Sequence, residues 1–263
     1  MNMRSGTMLL WILLVISVGC SQQANNLADI SESDEAFVLG DLLEPFNPPS
    51  LESLEQSVNA GGGWIDRPVL DSLVLLRERQ AKEPILATVN QALDLRNNSD
   101  EENAKILSAL GRLPENDAEV NYAAQITRAT PQALNNQNPL LASSMTEFEV
   151  SSLTGFGLFG FDWNFTPFAS QDSVKSWQTS KDGLYDKVIM RSDLLWSDGT
   201  PITAHDIEFS FKVIMSSQVP IRAQRTGTEA IKYVKAYDDQ TLVYFHNEPL
   251  ETNVWNINFS IIP

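Results

Sequence analysis

The 263-residue chain carries 34 Asp and Glu against 18 Lys and Arg, a formal net charge of −16 at pH 7. That balance argues against a nucleic-acid binder, because phosphate recognition needs clustered Lys and Arg. A single cysteine, Cys20, rules out an intrachain disulfide and a cysteine-rich zinc site, and the 43% apolar fraction is enough for a sizeable core.

The chain opens with Arg4 and an apolar run from Met8 to Val18. The run is too short to span a bilayer comfortably, so it reads as a secretory signal, and no later run is apolar enough to cross a membrane. Ile16-Ser17-Val18-Gly19-Cys20 follows, which resembles the lipobox of bacterial lipoproteins, with Ser17 where Leu or Val is usual. The resemblance implies that residues 1–20 are a lipoprotein signal peptide and that Cys20 becomes the lipidated mature N-terminus.

Residues 21–63 read as an acidic flexible linker. Asp29, Glu32, Asp34, Glu35, Asp41, Glu44, Glu52 and Glu55 occur without Lys or Arg, and Asn47-Pro48-Pro49 breaks any helix. Gly61-Gly62-Gly63 punctuates the chain. Residues 64–118 then read as a small helical extension with no visible chemistry. Asp66-Arg67-Pro68 has the form of a helix start, followed by Val69, Leu73 and Leu76 at helical spacing. A second segment starts at Pro84 with Leu86, Val89 and Leu93. Ser99-Asp100-Glu101-Glu102 opens a third, carrying Ala104, Leu107 and Leu110 and ended by Gly111 and Pro114.

The densest local information lies between Tyr185 and Ser217. Tyr185 to Arg191 predicts a strand, and Ser197-Asp198-Gly199-Thr200 a turn in which Asp bonds its own backbone and Gly takes positive φ. Pro201 fixes the exit. Thr203 stands at a helix N-cap with Asp206 three residues on, a capping-box spacing. Ala204, Ile207, Phe211 and Ile214 then form one apolar stripe.

This order of residues resembles the signature of bacterial extracellular solute-binding proteins of family 5, the oligopeptide-, dipeptide- and nickel-binding components of ABC importers. The matching positions are Arg191, Trp196, Ser197, Asp198, Gly199, Thr200, Pro201, Ile202, Thr203, Ala204, Asp206, Ile207, Phe209 and Ser210. Singly, each builds a turn or caps a helix, so the signature marks the scaffold and not the binding site. The resemblance extends over residues 119–263. Val120 to Arg128 takes the place of the first strand, and Leu134 to Leu141 that of a Leu-Asn-Pro loop. Phe148 to Phe159 corresponds to a helix leading into a Glu-Gly-Leu segment, which here is Phe156-Gly157-Leu158, without the acidic residue. Val174 to Trp177 resembles an Ala-x-Ser-Trp segment, and Ser180 to Gly183 the turn before the strand that begins at Tyr185. Tyr233 to Tyr237 and Thr241 to Phe245 flank Asp238-Asp239-Gln240, which predicts a hairpin. Gly155, Phe156, Gly157 and Leu158 are the candidate ligand contacts, by family position alone.

The resemblance implies an α/β fold, the periplasmic-binding-protein-like (type II) first lobe, incomplete and preceded by the helical extension. Family members run to about twice this length, with a second lobe expected after an apolar strand like Asn258 to Ile262. The implied function is that of a periplasmic, lipid-anchored substrate-binding protein. It would capture a peptide or other small solute and deliver it to ABC permease subunits, without a cofactor, metal or enzymatic activity. The alternative is a structural or interaction lipoprotein that retains only the first lobe.

Other patterns carry less. Gly155 to Gly160 matches G-x-G-x-x-G, but no helical run follows it, so pyrophosphate would meet no helix N-terminus. His205 and His246 are far apart without adjacent ligands; His205 is expected at the surface. Trp163, Phe165, Phe168, Trp177 and Trp196 suit a ligand cleft, yet most are expected in the core.

Overall fold

The computed structural model describes residues 37–82, 99, 116–121, 123–125, 127 and 133–263. Its centre is strand β8, Thr241–His246, in which every residue from Leu242 onward is buried. In an antiparallel sheet with one wet face such a strand would alternate; burial on both faces means that both are covered. Strand β8 pairs on one side with β7, Ile231–Ala236, and on the other with β6, Tyr185–Met190. Strands β5, Val174–Ser180, and β1, Trp64–Asp66, complete a five-stranded sheet of order β1-β5-β6-β8-β7, antiparallel throughout. A smaller sheet has the order β2-β4-β3, built from Val69–Leu70, Pro167–Ser170 and Phe159–Phe161.

Two helices cover the larger sheet. Helix α1, Leu51–Ala60, starts at Ser50, whose hydroxyl accepts the Ser53 N–H at 3.2 Å. Its Leu54 and Val58 bury against Val243 and Phe245. Removing two such side chains from water stabilises the fold by about 1.5–3 kcal/mol each. Glu55 ties the same helix to the sheet, accepting from Trp64 Nε1 at 2.7 Å and from Lys187 Nζ at 2.6 Å. These bonds outweigh the cost of burial and hold the Glu55 carboxyl below its usual range. The opposite face, with Val188, Met190, Val234, Leu242 and Tyr244, packs in the main core with the helix Ala204–Ile214.

Several expectations need correction. The acidic stretch 21–63 is not a free linker along its described length, because Leu51–Ala60 is a docked helix. Further upstream, Leu42 N–H donates to the Met215 carbonyl at 3.1 Å and Gly40 N–H to Ser216 Oγ at 2.8 Å. Trp64 does not open a helix: Trp64–Asp66 and Val69–Leu70 are strands, paired with β5 and β4. The helix starts only at Ser72 (α2, Ser72–Lys82), where Asp71 Oδ1 accepts the Leu73 N–H at 2.8 Å. Val120 to Arg128 shows no strand at its described positions. The helix expected from Phe148 to Phe159 runs instead over Met145–Thr154 (α3), and Asn258 to Ile262 forms a single bridge at Ile261 in place of a strand. The leader with Cys20, and the segments at Pro84 and at Ala104 to Pro114, lie outside the described residues. By contact, Leu39–Pro263 is one unit and Met1–Val38 another, of which Phe37 and Val38 are described.

Among the described residues no helix is long and apolar enough to cross a membrane.

Candidate functional site

The signature builds a rigid support. Gly199 sits at φ 87°, a conformation that costs a side-chain-bearing residue, and its N–H donates to the Trp196 carbonyl at 2.9 Å. Asp198 Oδ1 accepts the Thr200 N–H at 2.9 Å and its hydroxyl at 2.7 Å, which holds the Asp198 carboxyl below its usual range. Leu195 bridges Pro201, and Ile202 N–H returns to the Leu194 carbonyl at 3.0 Å, closing the loop. Arg191 forks onto the Asp193 carboxylate at 2.9 and 2.5 Å, so its charge is used within the loop.

Helix α4, Ala204–Ile214, follows. Thr203 N–H donates to Asp206 Oδ2 at 2.6 Å, the half of the capping box in which the acid reaches back. Ala204, Ile207, Phe211 and Ile214 are each 0% exposed, as the stripe predicts. The Ala204 N–H donates to the Asp239 carbonyl at 2.8 Å, so the β7–β8 turn also caps this end. His205 is exposed, as expected.

The support reaches a cleft through two contacts. Ser210 Oγ donates to the Asp206 carbonyl at 2.6 Å and accepts the Ile262 N–H at 2.9 Å, pinning the segment Asn258–Ile262 to α4. The Trp196 ring meets Phe156 edge-on, centroids 6.0 Å apart, and Phe156 bridges Ile261. Between these segments lies a cleft of about 410 Å³, lined by Phe148, Gly155, Phe156, Gly157, Phe259 and Ile261 among others. No lining side chain is charged.

Of the four candidate contact residues, three line this cleft. Gly155 ends α3, and a Cβ there would stand 2.6 Å from the Ser151 carbonyl oxygen, a distance that only glycine avoids. Phe156 is half-buried, and Gly157 is exposed, with its carbonyl accepting Ser173 Oγ at 2.8 Å. Leu158 is the exception: it is 1% exposed and its side chain belongs to the core, not the cleft. The Gly155–Gly160 pattern leads into strand Phe159–Phe161 and a turn, so the dinucleotide context is missing.

The aromatic residues divide. Trp177 and Phe168 are buried and Trp196 packs against the core, whereas Trp163 and Phe165 are exposed. Sequence reasoning missed one buried cluster. Asp186 Oδ1 accepts from Trp177 Nε1 at 2.8 Å and Thr179 Oγ1 at 2.6 Å, and Oδ2 pairs with His246 Nε2 at 2.8 Å. An acid and a histidine sixty positions apart on neighbouring strands leave no local signal.

The loop on the near side of the cleft is held by Glu147, which is 2% exposed. Its carboxylate accepts backbone N–H groups from Asn136 at 3.1 Å, Ser143 at 2.8 Å and Ser144 at 3.0 Å. Led by the Ser143 bond and opposed by burial, these lower its pKa from 4.5 to about 2. A carboxyl shifted downward stabilises the fold fully above its unfolded value, and that stabilisation is lost as pH falls through the folded one. Thermal melts between pH 4.5 and 2 should therefore show Tm falling, with a shallower fall in Glu147→Gln. Parallel curves for the two proteins would contradict this role.

Comparison with known proteins bears on the same half of the chain. Residues 170–263 match the family model of bacterial extracellular solute-binding proteins, family 5 Middle, which bears out the resemblance read from Arg191 to Ser210. The chain is similar to NikZ from Campylobacter jejuni in complex with Ni(L-His), at 26% identity over 50% of this chain and 26% of that one, TM-score 0.41. It is also similar to peptide-bound OppA from Listeria monocytogenes, at 22% identity over 44% and 25%, TM-score 0.40. A third is AppA from Bacillus subtilis with a nonapeptide, at 20% identity over 48% and 25%, TM-score 0.42. The chain thus spans about a quarter of the length of these structures. No curated protein matches it.

Proposed function

We propose that the protein is the substrate-binding component of an ABC importer, with residues 119–263 forming part of its first lobe. It captures a peptide or similar small solute outside the inner membrane and passes it to permease subunits. The observation that carries this reading is the uncharged cleft between Gly155–Gly157 and Asn258–Ile261, fixed to the segment that matches the family model. Exposed glycine backbone beside Phe156 and Phe259 suits a ligand read through its own amides while its side chains vary. The lining holds no charged side chain and offers a ligand serine hydroxyls, backbone groups and apolar rings.

Gly157 provides the test. A Cβ built there meets nothing within 4 Å and the residue does not need positive φ, so Gly157→Val fills the cleft without straining the fold. In the full-length protein, calorimetry with a peptide library should find binding, weakened about tenfold or more by Gly157→Val at unchanged Tm. Unaltered affinity in the variant would place the ligand elsewhere. Binding of a metal chelate or oligosaccharide alone would overturn the peptide class, and binding of none of the three would overturn the receptor reading.

Export and anchoring rest on the apolar run Met8–Val18 followed by Cys20. Cys20→Ala should release the protein from membranes into the soluble fraction. Unchanged detergent partitioning of the variant would contradict a lipid at Cys20.

A further inference from the structure

Three stretches have the form Asn-x-Ser/Thr, the acceptor pattern for N-linked glycosylation of exported proteins: Asn97-Asn98-Ser99, Asn164-Phe165-Thr166 and Asn258-Phe259-Ser260. The pattern is common by chance, so the surroundings decide. Asn97 lies outside the described residues. Asn258 is exposed, but Phe259 beside it is 7% exposed and belongs to the main core. That stretch cannot be drawn out to an enzyme without opening the fold. Asn164 stands differently. We propose that Asn164 is a glycosylation site, whose carboxamide takes an oligosaccharide after export. It rests on the reading of Met8–Val18 as an export signal and is independent of the cleft.

Strands β3 and β4 form an antiparallel hairpin with Phe161 opposite Pro167. Asp162 N–H donates to the Thr166 carbonyl at 3.0 Å, and Phe165 N–H to the Asp162 carbonyl at 2.9 Å, closing the three-residue loop Trp163-Asn164-Phe165. Asp162 Oδ1 accepts the N–H groups of Asn164 and Thr166, each at 2.8 Å. One acid thus holds the backbone and leaves the side chains free. Asn164 and Thr166 are exposed, and neither the carboxamide nor the hydroxyl makes a hydrogen bond among the described residues.

The rings around the loop point the same way. Phe165 is the only non-glycine residue at positive φ among the described residues, at 60°, where such loops ordinarily carry glycine. That strained backbone turns its ring out to water, 69% exposed. Trp255, 45% exposed, lies 6.1 Å from Phe165 between centroids and is backed by Phe161 in a stack at 3.8 Å. Trp163 is 41% exposed, with Arg79 over its ring. Clustered exposed apolar surface marks a place where something binds. A sugar ring carries hydroxyls on its rim and C–H groups on its faces, so a glycan joined at Asn164 covers Phe165 and Trp255 while its rim stays in water.

In the transfer, Asn164 Nδ2 bonds to the anomeric carbon of a polyprenyl-diphosphate-linked oligosaccharide at the outer face of the membrane. The bond from that carbon to the diphosphate oxygen breaks, the lipid diphosphate leaves with the electron pair, and Nδ2 gives up one proton to the transferring enzyme. Asn164 does not line the cleft, so the sugar leaves it open.

Peptide mapping by mass spectrometry, on the full-length protein from the envelope of the cells that make it, should find an oligosaccharide on the peptide bearing Asn164. Asn164→Gln and Thr166→Ala should each lose the added mass, whereas Thr166→Ser and Asn258→Gln should keep it. Acrylamide should quench tryptophan fluorescence less in the modified protein than in Asn164→Gln, because the sugar covers Trp255; equal quenching would overturn the stacking. An unmodified Asn164 in protein that external protease reaches in spheroplasts overturns the site alone. Unmodified protein that stays protected inside the cell overturns export and the site with it. Added mass that persists in Asn164→Gln places the sugar elsewhere and overturns the site as well.

Discussion

The structure depends on the burial of one helical stripe. Ala204, Ile207, Phe211 and Ile214 lie in the main core with Val188, Met190, Leu242 and Tyr244 of the central strands. Everything that fixes α4 then fixes something else. Its N-terminus takes the turn of the β7–β8 hairpin through Ala204 and Asp239. Its C-terminal carbonyls and those just beyond are claimed by Arg225, whose guanidinium donates to Ile214, Ser216 and Val219. Leu42 reaches the Met215 carbonyl, and the Asp41 carboxylate accepts from the Ser217 N–H at 2.7 Å, so the chain before α1 is strapped to the same end. One helix thereby locates the hairpin, the strap and, through Ser210, the far wall of the cleft.

The signature thus bears on the cleft without lining it. Asp198, Gly199, Thr200, Pro201 and Thr203 act on a turn and a cap, and none of them lines the cleft. Their effect on the cleft passes through Trp196 on Phe156 and Ser210 on Ile262. A site assembled from exposed backbone and uncharged side chains needs such rigid support, because it holds no strong electrostatic partner to order a ligand by itself.

What could be read in advance was the local chemistry. Positive φ at a glycine, an Asx turn, a reach-back cap and a 3.6-residue stripe are all set within a dozen positions, and Tyr185 to Ile214 formed as those rules dictate. The four candidate contacts could be named only by likeness to a family; three line the cleft, and Leu158 does not, because it lies beside the β3–β4 pairing with its side chain in the core. The acidic stretch misled through its charge density. Its helix was signalled by Ser50 and the spacing of Leu51, Leu54 and Val58, but the partners that make it worth forming, Val243 and Phe245, lie far along the chain. Trp64–Asp66 is a strand only because β5 offers it an edge, and three residues carry no period of their own. The Asp186–His246 pair likewise exists only after folding.

Native-state hydrogen exchange tests most directly whether α4 holds these parts together. The amides to compare are Leu42 on Met215, Ala204 on Asp239 and Ile262 on Ser210 Oγ, against those of the central strand β8. If the helix is their common anchor, all three exchange with the free energy of the β8 amides, in one cooperative opening. Exchange of Leu42 and Ile262 through local openings of far lower free energy, while β8 stays protected, would show that strap and cleft wall are independent of α4 and would contradict the account.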